Sequence, residues 1–271
     1  MALRTRAAKA RAAAAAEATC HLLDLSHDEQ SIVTHELCDP LRPLLAVHLS
    51  STAKGLWVPM QEQLAELRQR HAEAAAMARA WGMSCAALAD ATELGLGGGG
   101  YNKPLTLAHW RTLGMLVGCG SLPKLQLLGI VRDNNGDEGV VSLADGLRRG
   151  RLPSLQNLDL IGAQTGPQGP TALASALTKR ALPSLNGLVL DGNPLGDAGL
   201  AALLPALRRL PPLKVLGLSI TNIGDEGVAS LLAQPTAGAL KSLEELFLNS
   251  NQITDAGCAA LTSALRGGAL P

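Results

Sequence analysis

Two stretches carry residue types at spacings that chemistry uses. Residues 93–104, "ELGLGGGGYNKP", match G-x-G-x-x-G through Gly95, Gly97 and Gly100. Glycines so placed let a backbone approach a pyrophosphate when a helix N-terminus follows. Here Tyr101 and Asn102 stand where a phosphate loop has Lys and Ser or Thr, and residues 117–122, "VGCGSL", lack the acid that would hold a ribose. The loop therefore predicts no phosphate site. Residues 35–39, "HELCD", come close to H-E-x-x-H, but Asp39 replaces the second imidazole and sits beside Pro40. Cys20, His21, His27, His35 and Cys38 lack paired metal-ligand spacing. No G-x-S-x-G elbow or cysteine-nucleophile signature occurs. No catalytic, cofactor or metal site is expected, and the chain does not read as an enzyme.

Function must then lie in surfaces, and the elements that build them repeat. Segments opening at Leu122, Leu152, Leu182, Leu210 and Leu240 align at a period of 30 residues, with one copy of 28. Apolar residues recur at positions 4, 7 and 9, as in Leu185, Leu188 and Leu190. The alternation at 7 and 9 predicts a short strand with one face inward. Position 12 holds Asn193 or Asn251, replaced elsewhere by Asp133, Ala163 and Thr221. Position 16 holds Asp137, Asp197, Asp225 or Asp255, placed to cap the helix that follows, with Pro167 in the second copy. Leucine recurs at position 22 (Leu143, Leu173, Leu203, Leu231, Leu261), and Pro235 should end the fourth helix early. One such unit cannot bury its own apolar face, whereas stacked units can.

The pattern L-x-x-L-x-L-x-x-N, followed by G-D-x-G and a helix, resembles leucine-rich repeats of the ribonuclease-inhibitor-like type. The resemblance implies an α/β solenoid, a curved horseshoe with short parallel strands on the concave face and helices on the convex face. It also implies that Asn at position 12 satisfies backbone groups where the chain leaves the strand, so Ala163 should mark the weakest rung. Leu88, Leu94 and Leu96 imitate the repeat, so residues 81–121 read as a degenerate first copy with the glycine-rich stretch as its loop. Five regular copies fill residues 122–271, and the chain stops on Leu270-Pro271, the opening pair of another copy. A truncated array, or a dimer through the last apolar edge, is the corresponding expectation.

Residues 20–80 read as a small helical module, preceded at 1–19 by a basic Ala-rich tail, expected to be flexible. One helix carries Val33 and Leu37 and ends near Asp39-Pro40; Pro43 opens a second; a third begins near Met60, with Leu64, Leu67, His71 and Ala74 on one side. Residues 22–57 resemble an F-box through Leu25, Asp28, Val33, Leu37, Asp39, Pro40, Leu44, Val47, Leu49, Lys54 and Trp57. They depart from it at Ser26, where Pro is usual, and in one residue inserted after Pro40. That resemblance implies docking of a Skp-type adaptor of a cullin ubiquitin ligase through Leu37, Leu44 and Val47. A structural cap is the other reading of the same residues.

Composition narrows the partners. Lys plus Arg and Asp plus Glu both number 23, so net charge points to neither nucleic acid nor membrane. Five cysteines without a C-x-x-C pair read as reduced thiols of an intracellular protein. A cytoplasmic location is expected, an organelle being the alternative because the first sixteen residues hold four basic groups and no acid. Arg148, Arg149, Lys179, Arg208 and Arg209 recur at helix ends, where cations complement the dipole. On the predicted strands the outward positions give Val131, Asp159, Ile161, Val189, Asp191, Phe247 and Asn249, with Ile220 adjoining. This concave face is poor in cations, which excludes nucleic acid there. Its apolar strip predicts a protein partner. The expected function is a non-catalytic interaction scaffold, which the F-box resemblance extends to a substrate receptor of a cullin ubiquitin ligase. The alternative is a regulator of a GTPase or other enzyme, as in Ran-GTPase activators and innate sensors of similar repeats.

Overall fold

Leucine at alternate positions of six short segments builds one parallel sheet. The computed structural model describes residues 39–44, 61–98, 105–132, 135–163, 165–166, 168–233 and 240–267. Two compact units divide it, Met1–Glu73 and Ala74–Pro271. Expectations resting on the basic tail, on Leu37 and Val47 and their neighbours, on the loop at 99–104, and on Asp133 and Pro167 lie outside the described residues, as does Pro235 itself.

In the first unit Asp39 and Pro40 make a turn. The Asp39 carboxylate accepts the Leu41 N–H at 2.9 Å, and its carbonyl accepts the Arg42 N–H at 3.0 Å. The Pro40 carbonyl lies 2.7 Å from His71 Nδ1, a contact that needs the proton on that nitrogen. Leu41, Leu64 and Leu67 are buried, the last two on helix α1 (Gln61–Ala80).

In the second unit Ala74, Met77 and Ala78 are buried, and Trp81 meets His109 edge to face with ring centroids 5.8 Å apart. Helix α2 (Cys85–Ala89) starts at Ser84, whose hydroxyl accepts the Ala87 N–H. Strands and helices then alternate: β1 (Glu93–Gly97), α3 (Leu107–Gly118), β2 (Leu127–Val131), α4 (Gly136–Arg149), β3 (Asn157–Ile161) and α5 (Gln168–Ala176). They continue as β4 (Gly187–Val189), α6 (Gly196–Leu207), β5 (Val215–Gly217), α7 (Asp225–Leu232), β6 (Glu245–Phe247) and α8 (Asp255–Arg266). All neighbouring strands pair in parallel, in the order β1 to β6. One inward row runs Leu94, Leu128, Leu158, Leu188, Leu216 and Leu246. The first five are buried, each fully buried leucine contributing about 1.5–3 kcal/mol. From the helices Trp110, Leu113, Leu143, Leu173, Leu203 and Leu231 are buried too. Helix α7 stops at Leu232, as the sequence ahead of Pro235 predicts.

Helices α3 and α4 approach until backbone meets backbone. A Cβ on Gly146 would stand 2.1 Å from the Gly114 carbonyl oxygen, and one on Gly114 2.2 Å from that of Ser142. Gly139 leaves room for the buried indole of Trp110, whose ring atoms would lie 2.7–2.9 Å from an added Cβ.

The aspartates of position 16 do something other than the expected capping of their own helices. Asp137, Asp197, Asp225 and Asp255 each lie inside the first turn of their own helix. From there the first three reach the start of the next repeat's helix. Asp137 accepts the Gly169 N–H at 2.8 Å and the Gln168 N–H at 3.3 Å. Asp197 accepts the Gly224 N–H at 2.7 Å. Asp225 accepts the Thr254 N–H at 2.8 Å, the Thr254 hydroxyl at 2.6 Å and the Gly257 N–H at 2.9 Å. The free N–H groups of a helix start attract a carboxylate from either repeat. Glycine makes that approach possible: a Cβ on Gly227 would sit 2.3 Å from an Asp197 oxygen, and one on Gly257 2.5 Å from an Asp225 oxygen. The G-D-x-G signature is thus one joint, with the Asp reaching forward and the Gly making room for the Asp behind it.

A second joint runs through position 12. Asn251 donates to the carbonyls of Leu218 (2.6 Å) and Leu248 (2.9 Å) and accepts the N–H groups of Thr221 and Ile223. Buried Asn193 donates likewise to Leu160 and Leu190. Ala163 contributes no side-chain bond, yet the Leu160 carbonyl of its own repeat is taken by Asn193 from the following one.

Two outcomes are expected. Gly146→Ala should lose about 1–3 kcal/mol in urea unfolding, through forced separation of α3 and α4. Gly118→Ala, whose nearest atoms would be 3.7 Å away, should be close to neutral. Equal stability of the two variants would refute the close approach. The second concerns Asp225, whose carboxyl is held below the ordinary value first by the Thr254 hydroxyl and then by the Thr254 and Gly257 N–H groups. Its stabilisation is complete above the unfolded-state pKa and is lost as pH falls through the lower folded-state value. Asp225→Asn should therefore lower the Tm at pH 7, and the gap to the parent should close in acid; a pH-independent gap would contradict the joint.

Candidate functional site

With the leucines turned inward, the other strand positions form an outward face. Its middle row, in register from β1 to β6, is Gly95, Gly129, Asp159, Val189, Gly217 and Phe247. Above it stand Gly97, Val131 and Ile161 in register, and then Asp191, Ser219 and Asn249 at the same repeat position. These last three are not strand residues, although the sequence pattern placed them on strands. β4, β5 and β6 end after three residues. Backbone pairing between neighbouring repeats nonetheless runs on, with the Gly192 N–H donating to the Ser219 carbonyl and the Ile220 N–H to that of Asn249.

Val131, Ile161 and Val189 are half-exposed, Phe247 is 43% exposed and Ile220 57%. Ile220 adopts φ 55°, a left-handed conformation that branching at Cβ disfavours; Gly162 and Gly192 hold the corresponding place in the two preceding repeats. Ser219 donates its hydroxyl to Asn249 Oδ1 at 2.7 Å, so this pair is tied together. Gly217 is buried beneath Val189 and Asp191: a Cβ there would come within 2.7 Å of Val189 Cγ1 and 2.8 Å of Asp191 Oδ1. The sequence signal for that floor was glycine at an outward strand position, Gly129 and Gly217.

The electrostatics concentrate on two carboxylates. Asp159 is pushed above the ordinary carboxylate value by burial and then by the charge of Asp191. Burial also raises Asp191, partly offset by the Ser219 N–H that Oδ1 accepts at 2.8 Å. Asp159 has no hydrogen-bond donor or cation beside it among the described residues. Stacking thus brings Asp159 and Ile161 on β3 beside Val189 on β4 and Asp191 just after it, with Val131 on the β2 side and Ile220, Phe247 and Asn249 in the repeats that follow. Of the three residues that the F-box resemblance implies for an adaptor, Leu44 is 66% exposed, and Leu37 and Val47 lie outside the described residues. No group of three or more His, Cys, Asp or Glu that could hold a metal occurs among the described residues. No described helix is long and apolar enough to cross a membrane.

Residues 181–204, 209–232 and 239–261 match the Leucine Rich repeat family. These spans carry β4, β5 and β6 with the helices that follow them. Residues 181–261 thus carry leucine-rich repeats, and together with the open six-stranded parallel sheet alternating with helices they fit an α/β solenoid. A comparison with curated proteins returned no match.

Asp159 supplies the test of this electrostatic picture. A raised folded-state pKa means that protonation favours the fold; the contribution is full below the unfolded-state pKa and lost as pH rises through the folded one. Asp159→Asn should raise the Tm at pH 7 by roughly one to a few degrees, and the difference should vanish below about pH 4, where the parent carboxyl is protonated. A lower Tm at pH 7 would reveal a donor that the carboxylate depends on.

Proposed function

We propose that this chain is a non-catalytic scaffold of the ribonuclease-inhibitor-like type, holding a protein partner on the outward, concave face of its sheet. The observation that carries this reading is Ile220 and Phe247, two large apolar side chains left in water on a face otherwise floored by small residues. Leucine-rich repeats generally mediate protein–protein interaction. Aromatic anchors of this kind are where interface energy concentrates. Val131, Ile161 and Val189 extend the apolar contact, while Asp159, Asp191 and Asn249 supply polar selection.

The resemblance of residues 22–57 to an F-box extends the proposal to a substrate receptor of a cullin ubiquitin ligase. Leu37, Leu44 and Val47 then dock the Skp-type adaptor, and the sheet face presents the target. The exposure of Leu44 supports this extension.

Photo-crosslinking in cells separates the two parts. A crosslinking residue at Phe247 should trap a protein that the same residue at Glu226, on the exposed side of α7, does not. Adducts at Glu226 alone would refute the sheet face as the docking surface. Pull-down with the purified adaptor should succeed with the parent chain and fail with Leu44→Asp; no capture by the parent would remove the receptor extension and leave the scaffold.

A further inference from the structure

The outward face has a charge character as well as an apolar one, and the two lie at a measurable separation. Asp159 is half-buried with no donor among the described residues, and Asp191 has only the Ser219 N–H. Each therefore holds lone pairs that a cation could take. Phe247 shares the middle row with Asp159 but lies three strands on, about 14 Å away at ordinary strand spacing. Between them Gly217 keeps the floor low. Ile220 completes the apolar end, in a backbone conformation that glycine would hold without strain.

We propose that the partner's contact segment is basic and apolar in alternation. A Lys or Arg side chain seats against Asp159 and Asp191, and a large apolar side chain about four residues away in extended chain packs on Phe247 and Ile220. This rests on reading the sheet face as the docking surface and adds the chemistry of what it receives. Two carboxylates are too few oxygens to enclose a calcium ion, which takes six to eight. A phosphate-bearing ligand meets negative charge here and is repelled. A free small amine satisfies the carboxylates and leaves the apolar end uncovered. A basic side chain on a peptide satisfies both, and the cation relieves the repulsion between the two aspartates.

The test is selection of phage-displayed random dodecapeptides on the full-length chain. The same selection is run on Asp159→Asn/Asp191→Asn and on Ile220→Gly/Phe247→Ala. Peptides enriched on the parent should carry Lys or Arg about four residues from an aromatic or large aliphatic residue. A synthetic consensus peptide should lose roughly tenfold or more in affinity on the Asn double variant. Ile220→Gly alone should weaken binding several-fold without lowering the Tm, because glycine suits that backbone. Enriched peptides that are neutral or acidic, yet are lost on Ile220→Gly/Phe247→Ala, would overturn the basic partner and leave the docking face standing. Equal enrichment on all three proteins, or none above the starting library, would overturn both.

Discussion

The joint between repeats is the interaction on which this structure depends. A strand, a turn and a helix of about 30 residues cannot bury their own leucines. Each unit becomes stable only when a neighbour covers its apolar side. Leucine rows alone would let units slide or splay, since apolar contact has no direction. Direction comes from hydrogen bonds that cross the joint. Asp137, Asp197 and Asp225 reach forward to the next helix start, and Asn193 and Asn251 reach back to the preceding strand's carbonyls. Because each bond fixes a backbone group of one unit by a side chain of another, these joints add to the parallel strand ladder in holding neighbouring units in register.

That division of labour shapes the surface. Stability is supplied by the inward leucines, the helix contacts and the two polar joints, none of which uses the outward strand positions. Those positions carry lighter duties, such as the bonds from Ser219 N–H to Asp191 and from the Ser219 hydroxyl to Asn249, so that most side chains there can be chosen for other ends. Gly217 is an exception, since a Cβ there would meet Val189 and Asp191. Against that background Asp159, Asp191, Ile220 and Phe247 are the residues that run against local preference, as half-buried charge, left-handed branched backbone or aromatic surface in water.

Much of this architecture was legible in the sequence. Period, strand positions, inward leucines and the early end of α7 follow from spacing and from Pro235, because they are local or strictly repeated. The destination of the position-16 aspartates was not legible. A carboxylate beside a helix start satisfies the same one-dimensional pattern whether it serves its own helix or the next, and only the fold decides. The early ending of β4 to β6 was likewise hidden, because the alternation of residue types continues past their last strand residues. Of the candidate face, the members were readable from register, but the raised pKa of Asp159 and the exposure of Ile220 depend on burial and backbone angle.

The pairing of Asp159 with Asp191 shows how a solenoid converts sequence period into chemistry. The two are 32 residues apart, one period plus two, so stacking sets Asp159 on β3 beside the segment that follows β4, where Asp191 lies. The two are near enough for the charge of Asp191 to raise the Asp159 carboxyl. No single repeat contains this arrangement, and no pair of repeats elsewhere in residues 122–267 reproduces two acids at those offsets on the outward face. An array of near-identical units thus acquires one distinctive place by a change of one outward residue in each of two neighbours, while the leucines, Asp joints and Asn joints that hold those neighbours together stay as they are.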